Sequence, residues 1–512
     1  MDDVCLVYTN TNTQGRLGQH VFDLVLPPLG LAYLAAVLER EGYRVRIVDA
    51  NALRLSREEL LAELEGRSRI VGFYCHTQNY PEICELARKL KASERPPKVI
   101  LGGPHAIAMP VECLEGHPEL DALCTGEGEA VIAELVPALL AEQDLGHIAG
   151  ITYHSEGKVV RTAKRPFIPD IDTIPRPAYH LLPMHLYKNV IESGGRRTMH
   201  VMGSRGCPSD CNYCFSTKQW SSKVRWHSAE RVLEDCEHLR QQYGVEFFEF
   251  FDDIFTLNKP RFRKLAYEFR DRGYHWCCST RIDQIDDDTI QHLKIGRVHH
   301  ICIGIETVNE RLLGVVGKGI TKPQITRAIS KLAEHRIDVL GLFILGIPSE
   351  TREEALETIR FATDPKNRFF FAVFSHMTIF PGTNFWTQYA SAQGLSDDFA
   401  DYCISKNFSF VEAHRTKEDL EDVMRRAYLT FYVRPKPVLM LLSIMARQPR
   451  LVAEMSAALG GVFLRLVRET AVHKLTHRAP EVPRPAPPTP PPIKRQKSEH
   501  GLIAASSLTR RS

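Results

Sequence analysis

Two series of short apolar runs alternate with amphipathic stretches along this 512-residue chain, and a proline-bearing segment separates them. Strands that alternate with helices are joined by crossovers, which favours parallel sheets covered by helices. In the first series "VCLVY", "RVRIVDA", "IVGFYC", "PKVILGG" and "ALC" read as strands. "LGLAYLAAVLEREG", "REELLAELE", "PEICELARKLKA" and "EAVIAELVPALL" read as helices, with Gly42 stopping the first of them. Right-handed crossovers then give a doubly wound, Rossmann-like domain over residues 1–145. Ligands of such sheets sit at the carboxyl ends of the strands, here "TNTN", "HTQN", "GGPHA" and "GEGE".

Residues 146–195, with "RPFIPDIDTIPRPAYHLLP", read as an extended linker. The second series fills 196–390. Its strands are "MHVMGS", "FFEFF", "WCCST", "HICIGI", "VLGLFIL" and "FAVFSHMTI". About six strand–helix units, rather than the eight of a closed barrel, predict a partial TIM-type barrel. Residues 391–478 read as helical and basic, a cap or a surface for peripheral membrane or lipid contact. From Ala479 to Ser512 the proline-rich, charged sequence predicts a disordered tail.

Bulk properties exclude several roles. A net charge of +3 is too small to argue for a nucleic-acid partner. The start "MDDVCLVYTN" lacks the features of a secretion signal, and no run approaches the roughly 18 apolar residues of a membrane span. The thirteen cysteines are therefore expected to be reduced thiols in the cytosol, some of them binding metal.

"GSRGCPSDCNYCFS" places Cys207, Cys211 and Cys214 within eight residues, on the loop after the first barrel strand. Barrel active sites are built on that rim. A disulfide would leave one thiol over. Structural zinc takes four protein ligands, and His200 or His227 could complete such a set. An iron–sulfur cluster is the other option. A 4Fe–4S cube normally takes four thiolates, so three leave one iron open for a substrate or cofactor. Phe215 could shield one side of the cube.

This C-x-x-x-C-x-x-C motif, followed by an aromatic residue in a strand–helix series, resembles the radical S-adenosylmethionine (SAM) superfamily. The resemblance implies that the open iron chelates SAM. An electron from the cluster then cleaves SAM to methionine and a 5′-deoxyadenosyl radical, which abstracts hydrogen from an unactivated carbon. Polar residues at later strand ends fit cofactor contacts in the same order. These are Asp252 and Asp253 after the second strand, Ser279 and Arg281 after the third, and Glu306 after the fourth, with Lys318 beyond. Glu306 suits ribose hydroxyls.

The first domain, with "PPLGLAYLAAVLEREGYRVRIVDAN", "VILGGPHA" and "DALCTGEGE", resembles the cobalamin-binding domain that precedes many radical SAM domains. The resemblance assigns Thr77, Gln78, Gly102, Gly103, His105, Gly126 and Glu127 to the corrin ring. One departure stands out: "DLGHIAG" does not match the D-x-H-x-x-G string whose histidine ligates cobalt, so cobalamin would be held without that ligand. Together the two likenesses imply a C-methyltransferase that moves a methyl group by way of cobalamin to a small-molecule carbon. The substrate would be a secondary metabolite or lipid, and flavodoxin or ferredoxin would supply electrons. Oxidative cyclisation or ring rearrangement with the same cofactors is the alternative, and a non-catalytic cobalamin-binding regulator is a further one.

Overall fold

Helix Leu29–Arg40 presents eight buried residues, among them Leu31, Ala35 and Leu38, to a sheet built from the strands around it. In the computed structural model, which describes residues 1–10, 25–187, 193, 196–390 and most of 395–439, that sheet has seven strands. They are β1 (Asp2–Tyr8), β2 (Val45–Asp49), β3 (Ser68–Tyr74), β4 (Lys98–Gly102), β5 (Ala122–Cys124), β6 (Ile151–Ser155) and β7 (Lys158–Arg161). Their order is β2-β1-β3-β4-β5-β6-β7, with the first five parallel. The chain reverses direction across the sheet at β1 and β3, where doubly wound folds open a crevice for ligands.

Strands β6 and β7 were not expected. They lie in the segment read as a linker and form an antiparallel hairpin on the edge of the first sheet. The turn "SEGK", with Gly157 at φ +74°, is the glycine-bearing hairpin signal behind them.

The second sheet holds six parallel strands in the order β15-β14-β13-β12-β11-β8. They are β8 (Thr198–Val201), β11 (Phe247–Phe250), β12 (His275–Thr280), β13 (His300–Glu306), β14 (Val339–Leu345) and β15 (Phe369–His376). A two-residue pair, β9 (Ser204–Arg205) with β10 (Arg225–Trp226), stands beside the rim. Six strands leave the barrel open, as expected. Helix Lys417–Tyr432 covers the β15 edge, and the hydroxyls of Tyr428 and Tyr432 donate to the carbonyls of Phe374 and Ala372 at 2.8 and 2.7 Å. A helix laid on an edge strand removes a site for unwanted strand pairing. The basic residues Lys436, Arg447 and Arg450, the rest of the expected C-terminal helices and the tail lie outside the described residues.

One buried apolar cluster runs from Val4 and Leu6 under helix Leu29–Arg40, through Tyr179 and Leu182, to Leu239 and Phe250 of the barrel. The two sheets therefore share a core. An apolar contact of that kind resists relative motion of domains.

Candidate functional site

The cysteine loop leaves the rim between β9 and helix Ser216–Trp220. Cys207 and Cys211 are buried, Cys214 is half-buried, and all three are free thiols. Burial pushes the Cys214 thiol up to about 11, and the nearby Asp253, Cys211 and Cys207 add to the effect. One short loop thus carries three sulfurs, two of them buried, and sulfur donors gathered on one loop fit a metal cluster, which would hold them as thiolates. The two histidines weighed for a zinc site each hold a carboxylate, although His227 Nε2 stays buried without a partner. His200 Nε2 meets Glu249 Oε2 at 2.8 Å, and His227 Nδ1 meets Asp172 Oδ1 at 2.8 Å.

The loop is tied down at several points. Asn212 receives Phe385 N on its carbonyl at 2.8 Å and gives its own N–H to Val316 O at 2.9 Å. Its side-chain amide donates to Val315 O at 2.8 Å. The Phe215 ring lies so close to Gly382 that a Cβ there would sit 2.5 Å from it. Only glycine allows that approach.

Arg281 and Glu306 converge on the same loop. Arg281 grips Asp283 through Nε and Nη2, donates to Lys318 O at 2.8 Å, and aims Nη1 at Cys211 Sγ, 3.7 Å away. Glu306 follows a bulge in β13 at φ +62°, a left-handed conformation that re-aims its side chain. Its Oε1 accepts from Tyr213 Oη at 2.9 Å and Lys318 Nζ at 2.6 Å. Tyr213, inside the motif, was not expected in the site. Ser279 is half-buried, and its carbonyl holds Phe255 N at 3.0 Å.

The two aspartates after β11 part ways. Asp253 is exposed and accepts from Ser216 Oγ at the end of the cysteine loop. Asp252 is only 1% exposed, and both of its oxygens are engaged, by Gly203 N and by Ser204 Oγ, each at 2.7 Å. Arg261 stands 3.9 Å away. Burial pushes the Asp252 carboxyl above its usual range. The expected cofactor contact is therefore a buried support that fixes where the cysteine loop begins.

In the first domain, Thr77 and Gln78 follow β3, Gly102 ends β4, and Gly103 opens the next turn at φ +113°. A Cβ on Gly103 would lie 2.7 Å from Cys75 O, whereas one on Gly126 would meet nothing within 4 Å. The first glycine is required by the backbone, and the second leaves open room that suits a flat ring. His105 and Glu127 depart from expectation. His105 is 1% exposed, bonds Thr77 Oγ1 through Nδ1 at 3.2 Å, and packs against Tyr80 and Phe399 at 4.8 and 4.9 Å. Burial pushes its pKa down to about 4, so the ring is neutral. Glu127 has both oxygens engaged by Arg205, Arg225 and Ile168 N. Ion pairing occupies Glu127, whereas His105, packed between Tyr80 and Phe399, keeps a buried Nε2 without a hydrogen-bond partner.

The two candidate sites adjoin. Helix Pro104–Ala108 of the first domain packs on helix Ser216–Trp220 of the cysteine loop.

Residues 201–362 match the radical SAM superfamily and residues 16–136 the B12-binding domain. An uncharacterized methyltransferase of Pyrococcus horikoshii is 36% identical over 415 residues, covering 80% of this chain and 88% of that protein. The anaerobic magnesium-protoporphyrin IX monomethyl ester cyclase of Rubrivivax gelatinosus is 32% identical over 351 residues, covering 66% of this chain and 62% of that one. In fold, the chain is similar to the radical SAM methyltransferase TsrM of Kitasatospora setae, solved with cobalamin and a [4Fe-4S] cluster. The TM-score is 0.63 at 17% identity, over 85% of this chain and 90% of that one. This chain belongs to the radical SAM enzymes, in the branch that carries a B12-binding domain ahead of the radical SAM domain.

Proposed function

We propose that the chain is a cobalamin-dependent radical SAM C-methyltransferase acting on an unactivated carbon of a secondary metabolite or lipid. What supports this reading is the packing of helix Pro104–Ala108, which follows the glycines after β4, on helix Ser216–Trp220, which follows the cysteine loop. In such enzymes the cluster supplies the electron that splits SAM, and cobalamin carries the methyl group.

The residues of this chain bind and orient. Cys207, Cys211 and Cys214 offer one sulfur each to the cluster. Arg281 places a positive charge beside Cys211, which offsets the charge of a cluster held there. Tyr213 and Lys318 hold Glu306 through Oε1, leaving Oε2 for the ribose hydroxyls of SAM. Gly102, Gly103 and Gly126, with Thr77 and Gln78, form the edge against which a corrin would lie. Flavodoxin or ferredoxin is the electron donor. Among the described residues no helix is long and apolar enough to cross a membrane.

The 32% identity to a cyclase keeps oxidative cyclisation as the second reading. Anaerobically purified and reconstituted protein should show both cluster and corrinoid by absorption and mass. Given its substrate, it should form S-adenosylhomocysteine, 5′-deoxyadenosine and a product heavier by one methylene. 5′-Deoxyadenosine with an unmethylated product would replace the methylation reading by the second one.

A further inference from the structure

Four charged side chains form a closed, dry box between the two domains. Arg205 stands on β9, two residues before Cys207, and is 2% exposed. Its Nη1 donates to Glu127 Oε1 at 3.0 Å and its Nη2 to Glu129 Oε1 at 2.5 Å. Arg225, the cross-strand partner of Arg205 on β10, donates to Glu127 Oε2 at 2.7 Å and to Ile168 O at 2.8 Å. Glu127 also takes the backbone N–H of Ile168 at 2.7 Å. The guanidinium faces are covered too. Arg205 lies 4.9 Å from the ring centre of Trp220 and 5.4 Å from that of Tyr33, and Arg225 lies 4.9 Å from that of Phe167.

Two arginines and two glutamates make the box neutral. Such a box is a poor glue, because the desolvation of four charges cancels most of their attraction. It is a strong register pin, because each planar fork accepts carboxylates in few geometries and no water stands in for a lost partner. Its ends are what make it relevant here. Glu127 and Glu129 flank the start of helix Gly128–Leu140, directly after the open Gly126. Arg205 leads into the cysteine loop, whose first amide, Cys207 N, bonds Ser221 O at 3.2 Å.

We propose that the Arg205–Glu129–Glu127–Arg225 box is a positioning device that holds the cysteine loop in register with the corrin-facing edge, and so sets the spacing between the two cofactors. This rests on the two-cofactor reading above. An ordinary interface ion pair would affect only stability. A positioning box affects the reaction that needs both cofactors more than the reaction that needs one.

The test uses the full chain with reconstituted cluster and added hydroxocobalamin, a chemical reductant and SAM, but no substrate. Two products are followed. 5′-Deoxyadenosine reports cleavage of SAM at the cluster. S-adenosylhomocysteine reports loss of the SAM methyl group to the reduced corrinoid. Glu129→Gln should leave iron content, and the rate of 5′-deoxyadenosine formation, within about twofold of wild type. S-adenosylhomocysteine formation should fall about tenfold or more, since displacement by ~1 Å can cost roughly a hundredfold in a positioned reaction. Arg205→Lys, which keeps the charge and loses the fork, should shift the product ratio in the same direction. Hydrogen exchange of the iron-free Glu129→Gln chain gives a readout apart from turnover. The peptide spanning 204–214 should exchange faster, while helix Ala229–Tyr243 stays as in wild type. A parallel loss of both products with the melting temperature, or no change in either, overturns the proposal and leaves the two-cofactor reading standing. A wild-type chain that takes up no corrinoid overturns both.

Discussion

Asp252 is the sharpest point at which the structure can be tested against expectation, because a cofactor contact and a buried support respond differently to its removal. Asp252→Ala takes the acceptor from Gly203 N and Ser204 Oγ and leaves Arg261 buried beside an apolar methyl. The arginine cannot swing out, since its Nε and Nη2 hold the carbonyls of His227 and Gly203 at 2.8 and 3.0 Å. An uncompensated buried charge costs about 3–5 kcal/mol, and the lost hydrogen bonds overlap with that figure rather than add to it. For a domain of this size about 4 kcal/mol corresponds to roughly 10 °C in melting temperature. Differential scanning calorimetry of the iron-free chain should show the barrel transition lowered by about that much, because the effect precedes any cofactor. Iron content after reconstitution should fall with it, since the cysteine loop loses its fixed start. Asp252→Asn, which keeps one acceptor oxygen, should lie between. An iron-free Asp252→Ala chain that melts within about 2 °C of wild type and loads iron fully, yet no longer binds SAM, would refute the support role and restore Asp252 as a cofactor contact.

Four further outcomes are expected. Cys211→Ala should abolish iron-dependent visible absorption and all cleavage of SAM, read by chromatography of the reaction mixture. Glu306→Gln should weaken SAM binding and leave iron content unchanged, read by equilibrium binding to the reconstituted protein. Gly103→Ala forces a Cβ to within 2.7 Å of Cys75 O at φ +113°. It should cost about 1–3 kcal/mol in apo-protein stability and lower affinity for added hydroxocobalamin. The fourth concerns Glu350, whose pKa burial pushes up to about 7 even though Arg415 lies nearby. An acid that binds its proton more tightly in the folded chain stabilises the fold below its ordinary value of 4.5, and that contribution fades as the pH rises to about 7. Melting curves between pH 4.5 and 7 should therefore fall more steeply for wild type than for Glu350→Gln, and equal slopes would refute the titration.

The alternation of strands and helices was legible because both periodicities are local, and so was the position of the cysteine loop at a strand's carboxyl end. The roles of individual polar residues were less so. Asp252 and Asp253 are neighbours in one motif, yet one is sealed beneath the loop and the other faces outward. A strand-end position looks the same in either case, and only the packing of Arg261 and Ser204 decides between them. His105 and Glu127 went astray for the same reason. Tyr213 was hidden by the motif itself, where it counts as a spacer between ligands. The pairing of Arg205 with Glu129 spans 76 residues and leaves no local pattern. Strands β9 and β10 are two residues each, too short for periodicity to register.

The open barrel has a consequence of its own. In a closed barrel the first and last strands are joined by hydrogen bonds at a fixed spacing, so the circumference comes in steps of one strand. Here the rim between β8 and β15 is spanned by Asn212 O taking Phe385 N and by Phe215 lying over Gly382, while Asn212 also reaches across to Val315 and Val316 after β13. A gap closed by loop contacts has no such quantum. Its width follows how the Asn212 and Phe215 loop seats on residues 382–385, so substitution at Gly382, under the Phe215 ring, can shift that seat while every strand keeps its register.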